Sequence, residues 1–171
     1  MGPELSRLGD LMRRRHLTVA VAESMTGGLL AAALADLPES SQRFLGGVVS
    51  YRADTKMEVL GVPADVIASN GVVSRPTAQL MAEGARRIFQ ASLAISVTGV
   101  AGPEQQEGKP VGLTYIGVSL DGRTEVREYR WPGGRAANRV ASVEAAIDLA
   151  ADLLERPPTL PSSRGGRKQS P

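Results

Sequence analysis

Strand-like apolar runs that alternate with helical segments and then end in a hairpin predict an α/β protein, a three-layer α/β/α fold around a mixed, mostly parallel sheet with a C-terminal hairpin. Two short continuous apolar runs, residues 17–22 and 93–97, have the look of strands covered on both faces. The runs 111–120 and 123–130 flank Asp121-Gly122, a dipeptide suited to a tight turn. A chain of 171 residues with 42% hydrophobic content suits one domain, expected over residues 1–155. Aromatic residues make up only 4%, so alanine, valine and leucine must fill most of the core.

Leu5, Leu8, Leu11 and Met12 mark an amphipathic first helix, and residues 17–22 the first buried strand. A small-residue helix follows over 27–35, then an alternating strand over 44–51. Residues 53–60 and 63–69 are expected as two short helices separated by Gly61. Ser74 is a good N-cap for a helix through Leu80, Met81 and Ile88, with Pro76 tolerated in its first turn. The strand 93–97 leads into a glycine-containing loop, the hairpin follows, and a long helix from Arg135 to about Leu154 closes the domain. Residues 156–171, rich in Pro, Ser, Gly and basic side chains, are expected to be a disordered tail.

Composition narrows the chemistry. The chain has no cysteine, which removes thiol nucleophiles, disulfides and thiolate metal sites. Its one histidine, His16, follows Arg13-Arg14-Arg15 at a helix end, so a Ser-His-Asp triad or a His-ligated metal is not expected. Hydrolytic chemistry then falls to a serine, threonine or tyrosine hydroxyl activated by lysine, tyrosine or a carboxylate. Of twenty basic residues only Lys56, Lys109 and Lys168 are lysines, and Lys56 alone falls inside a predicted element. A guanidinium cannot replace a lysine that must lose its proton. Residues 1–155 carry sixteen basic and eighteen acidic side chains, a net charge of −2, so the basic pI of about 9.3 comes from the tail and is no argument for a nucleic-acid partner, which is not expected. The longest apolar run, 29–35, is too short to cross a bilayer, and a cytoplasmic location is the default expectation.

Ala22-Glu23-Ser24-Met25-Thr26-Gly27-Gly28 places a hydroxyl and two glycines where a strand gives way to a helix. Backbone N–H groups at such a junction can face an anion or an oxyanion, and those of Thr26, Gly27 and Gly28 are the candidates. The second strand runs into Thr98-Gly99-Val100-Ala101-Gly102-Pro103, whose Gly99 and Gly102 permit close approach of backbone to ligand. In open α/β sheets, ligands bind beyond the carboxyl ends of parallel strands, so both loops can share one crevice, with Tyr51 and Lys56 beside it. Arg135 and Arg139 fall on one face of the last helix, spaced to hold a phosphate or to serve as ordinary surface charges.

These segments, with Gly47-Val48-Val49-Ser50-Tyr51, Leu60-Gly61-Val62, Gly71-Val72-Val73-Ser74, Met81-Ala82-Glu83-Gly84 and Lys109-Pro110-Val111-Gly112, resemble the C-terminal domain family of the competence/damage-inducible protein CinA, the nicotinamide mononucleotide deamidases. The resemblance runs in order over about residues 5–155. It implies hydrolysis of the carboxamide of nicotinamide mononucleotide to nicotinate mononucleotide and ammonia, by a hydrolase without metal or cofactor. It also implies functional roles for Ser24, Tyr51, Lys56, Thr98 and Arg135. On that reading Lys56 deprotonates Ser24, directly or through Tyr51; Thr98 orients the substrate, and Arg135 with Arg139 takes the phosphate. Met25 stands where the motif usually has cysteine, Arg52-Ala53 where it has Ser-Asn, and Gly134 where it has Asp. Two other readings stay open: a non-catalytic nucleotide-binding regulatory module, and a partner-binding protein in competence or recombination. The small-residue helix 29–35 packs either within the fold or against a second copy, which leaves a homo-oligomer open.

Overall fold

The structure, a computed structural model, describes residues 2–156. In chain order it contains α1 (Pro3–Arg14), β1 (Val19–Glu23), α2 (Leu29–Ala35), α3 (Ser40–Arg43), β2 (Phe44–Val49), α4 (Ala53–Glu58), α5 (Ala64–Asn70), α6 (Arg75–Phe89), β3 (Leu93–Gly99), β4 (Leu113–Leu120), β5 (Arg123–Arg130) and α7 (Arg135–Glu155). The strands form one sheet in the order β2-β1-β3-β4-β5. β1 pairs in parallel with β2 and β3, while β3 with β4 and β4 with β5 pair antiparallel, so only β4 runs against the rest. The sheet is therefore mixed and mostly parallel, as its sequence pattern predicts.

β1 and β3 are buried along their whole length, and that is why they read as unbroken apolar runs. One face carries Val19, Val21, Ile95 and Val97 against Leu8 and Met12 of α1, Leu30 and Leu34 of α2, and Ile147 and Ala150 of α7. The other face is built from smaller groups, Ala22, Ala94 and Ser96, so α6 can lie close to the sheet. Ser96 Oγ donates to Ala78 O of α6 at 2.6 Å, and a Cβ on Gly117 would come within 2.8 Å of that same oxygen. Scarce aromatics are thus matched by close helix-to-sheet packing on this side.

Several boundaries move by one or two residues, and the moves matter. β1 ends at Glu23 rather than Ala22, which makes the acid the last residue of the strand. α2 begins at Leu29 because Gly27 (φ 62°) and Gly28 (φ 97°) adopt left-handed conformations that an L side chain resists. β2 stops at Val49, leaving Ser50 and Tyr51 outside the ladder. The one-turn helix α3 was not expected from the sequence. Ser74 caps α6 as predicted, its Oγ accepting from Thr77 N at 3.3 Å. Arg156, the first residue of the expected tail, donates to Glu125 at 2.7 Å, and residues 157–171 of that tail lie outside the described residues. No helix among the described residues is long and apolar enough to cross a membrane.

Candidate active site

Ser24 N donates to Val97 O at 2.9 Å, extending the β1–β3 pairing by one residue and fixing Ser24 at the carboxyl edge of the sheet. Beneath it, Glu23 is completely buried. Its carboxylate accepts three backbone N–H bonds, from Gly28 (2.9 Å), Leu30 (3.2 Å) and Ala31 (2.8 Å). A strand's final side chain thereby caps the next helix, satisfying otherwise unpaired donors and placing negative charge at the positive end of α2. Gly27 N is also used, donating to Ser24 O at 3.1 Å. The expectation that the Gly27 and Gly28 amides face a ligand is therefore corrected: both are consumed inside the turn. The amides of Met25 and Thr26 donate to no protein group among the described residues, and the Thr26 hydroxyl is buried without a partner.

Lys56 projects from α4 to the same point. It is 0% exposed, and its Nζ donates to Ser24 Oγ at 3.1 Å and, at very short range, to Ser50 O. Ser50 is itself fixed, because its N and Oγ both donate to Glu23 O, at 2.7 and 3.3 Å. The ends of β1 and β2 are laced together in this way, and the lacing decides where Lys56 ends up. Burial lowers the ammonium from its ordinary 10.5 to about 8, overcoming the opposite pull of the Glu107 carboxylate. A shift of that size disfavours the charged form by about 3 kcal/mol, so neutral lysine is accessible near neutral pH.

Tyr51 does not stand between these two groups. The residue is 53% exposed and its hydroxyl accepts from Arg135 Nη2 at 2.6 Å, while the Lys56–Ser24 contact is direct. The first turns of α7 then grip both strand-end loops. Arg135 Nη1 donates to Gly102 O (2.8 Å), Asn138 Nδ2 to Ala101 O (3.1 Å), and Arg139 to Met25 O (3.0 Å) and Thr26 O (2.7 Å). Arg139, expected at a phosphate, instead holds the Ser24 turn in shape. Thr98, expected to touch substrate, is fully buried and donates to Val72 O at 2.8 Å.

Gly99 is required for packing rather than for a ligand, since a Cβ there would fall 2.4 Å from Met25 Sδ and 2.7 Å from Thr114 Oγ1. Gly102 likewise makes room for Val111, which a Cβ would meet at 2.7 Å. Met25 sends its side chain into the core, where Thr114 Oγ1 lies 3.6 Å from its Sδ. Arg52 is exposed and pairs with Asp54 at 2.9 Å, and Gly134 is the N-cap of α7 with no side-chain cap. Arg135 is positioned by Tyr51 and Gly102 without any help from residue 134. Sequence reasoning did not single out Glu23, Ser50 or Asn138. Only Glu23 carried a signal: an acid just ahead of a Gly-Gly helix start.

The CinA C-terminal domain family model matches residues 4–154. A putative competence-damage inducible protein of Desulforamulus reducens is 50% identical over 148 residues, which cover 86% of this chain and 36% of that protein. A CinA-like protein of Frankia casuarinae is 45% identical over 144 residues, covering 84% and 33%. The chain thus spans about a third of the length of these relatives. Among solved structures, a CinA superfamily protein from Klebsiella pneumoniae superposes with TM-score 0.86 at 31% identity, covering 88% of this chain and 95% of that one. The competence/damage inducible protein CihA from Agrobacterium tumefaciens gives TM-score 0.82 at 34% identity, covering 91% and 98%. With the matched span reaching from the first turn of α1 to the last turn of α7, this chain belongs to the CinA C-terminal domain family.

Proposed function

We propose that the chain hydrolyses the carboxamide of nicotinamide mononucleotide, giving nicotinate mononucleotide and ammonia in the recycling of pyridine nucleotides. One observation carries the reading: a buried lysine whose Nζ lies 3.1 Å from the hydroxyl of a serine at the carboxyl edge of the sheet. Neutral Lys56 takes the Ser24 proton as Oγ attacks the amide carbon. The oxyanion of the tetrahedral intermediate meets the amides of Met25 and Thr26, the two N–H groups the turn leaves unused. Lys56 returns its proton to the departing nitrogen, ammonia leaves, and an acyl-Ser24 ester remains. Water then attacks that ester with Lys56 again accepting the proton, which releases the carboxylate and restores the serine. Arg135, held by Tyr51 and Gly102 at the amino end of α7, is the group that meets the 5′-phosphate.

The test is release of ammonia and nicotinate mononucleotide from nicotinamide mononucleotide by the purified chain without added metal. The expected result is turnover by the intact chain that is lost in folded Ser24→Ala. Saturable binding with no turnover by the intact chain would instead assign it as a nucleotide-binding module.

A further inference from the structure

Arg86 differs from several other arginines of this fold. Arg7, Arg52, Arg127, Arg130 and Arg156 all pair with carboxylates. The guanidinium of Arg86 donates to no protein group among the described residues, and its Nε is buried without a partner. Its neighbour Arg87 uses one donor, on Leu60 O at 2.9 Å, and has no carboxylate partner among the described residues. Both arginines lie in the last turn of α6 and line a cleft of about 620 Å³ with Glu83, Gln90, Ser119 and Gly122. Ser119 is 1% exposed, and its Oγ also lacks a partner among the described residues. A buried polar group left unpaired costs about 1–3 kcal/mol, and here one guanidinium nitrogen, Arg86 Nε, and the Ser119 hydroxyl belong to residues that line the same cleft.

The cleft lies at the far end of the sheet from Ser24. Ala91 precedes β3 and Gly122 forms the β4–β5 turn, whereas Ser24 follows the carboxyl end of β1. Stabilising the helix terminus is the simpler role for two basic residues in a last turn. That role accounts for their position but leaves Arg86 Nε and Ser119 Oγ unsatisfied. Nor does the helix end repel an anion here, because two full positive charges outweigh its partial negative charge of about one half. The volume falls within the roughly 300–1,000 Å³ of small-molecule sites. Glu83, whose Oε1 accepts from Gln79 (3.0 Å) and Thr124 (2.9 Å), supplies the acidic side of the wall.

We infer that this cleft binds a small phosphorylated molecule, with the phosphate held by Arg86, Arg87 and Ser119 Oγ and hydrogen-bond donors elsewhere on the ligand facing Glu83. Guanidinium forks match phosphate oxygens in geometry and charge, and the hydroxyl supplies the donor that the guanidiniums do not reach. This site is independent of the chemistry at Ser24. Inorganic phosphate titrated into the isotope-labelled chain, at ionic strength held constant with sodium chloride, reads it directly by amide chemical shifts. Saturable shifts are expected at residues 83–92 and 119–122, with binding at least tenfold weaker in Arg86→Gln and weaker by a smaller factor in Ser119→Ala. Dispersed spectra of both variants establish that they fold, and Ser119→Ala removes only a hydroxyl with no partner among the described residues. Shifts that fail to saturate, shifts confined to the Ser24 and Arg135 region, or an affinity unchanged in both variants would overturn the assignment.

Discussion

The loops that follow β1 and β3 look alike in sequence, each a hydroxyl residue with glycines at a strand end, yet they do opposite work. After β1, Ser24 Oγ meets a lysine, and the Met25 and Thr26 amides have no protein partner among the described residues. After β3, Thr98 Oγ1 is tied to Val72 O, Gly99 makes room for Met25, and the Ala101 and Gly102 carbonyls are clamped by Asn138 and Arg135. One loop presents the hydroxyl and the N–H groups that the proposed chemistry uses, and the other is the mould that supports it. A hydroxyl in a motif becomes a functional group only where the fold leaves it something to do.

The largest effects should fall on the first loop. Ser24→Ala and Lys56→Met should each lower kcat/KM for the amide by at least about 1,000-fold, the scale of losing a nucleophile or its base. Lys56→Met should also raise stability to urea at pH 7 by about 1–3 kcal/mol, because a buried cation is replaced by an apolar group of similar length. A destabilised Lys56→Met would mean that the lysine is not held at a cost.

The pH dependence sharpens the same point. The lysine must be neutral to act as a base, so kcat/KM should rise with pH along a limb near 8 that is absent in Lys56→Met. Stability should follow in the same direction. Between about 8 and 10.5 the unfolded chain binds more protons at this site than the folded one, so folding becomes more favourable as pH rises, by up to about 3 kcal/mol. Below about 8 both states are protonated and this dependence vanishes. The difference between the intact chain and Lys56→Met in urea melts at pH 7, 9 and 10 isolates the contribution.

Glu23→Gln probes the support under the first loop. It keeps the shape but loses the charge that accepts three N–H bonds, so a stability loss of about 2–3 kcal/mol is expected, with kcat falling more than KM changes. Equal losses in kcat and in the folded fraction would reduce Glu23 to a purely structural cap. The smallest effect belongs to the second loop: Thr98→Val should cost about 1–2 kcal/mol in thermal or urea unfolding, from the unpaired Val72 carbonyl, while leaving kcat within about tenfold.

Much of the fold was legible because its strands carry their burial in their patterns. The runs at 17–22 and 93–97 are continuous because α6 covers one face and α1, α2 and α7 the other. The single-turn α3 was not legible, since four residues carry no periodicity. In a chain without cysteine and with one histidine, elimination left a hydroxyl residue and a lysine as candidates, the family resemblance pointed to Ser24 and Lys56 among them, and the structure brings those two side chains to 3.1 Å. The assignments to Arg139, Thr98, Gly27 and Gly28 went astray for a common reason. A sequence shows that donors exist, but whether they are already paired is settled by long-range packing, here of α7 on the β1 loop and of Val72 on Thr98. Ser50 acts through a backbone carbonyl, which no side-chain pattern reveals.

The most direct measurement places the two loops side by side: ammonia release from nicotinamide mononucleotide by Ser24→Ala and by Thr98→Val, each first shown to be folded. If Ser24 is the proposed nucleophile, Ser24→Ala is silent and Thr98→Val turns over within about tenfold of the intact chain. Near-normal release by Ser24→Ala, with Thr98→Val inactive, would contradict it and move the chemistry to the loop after β3.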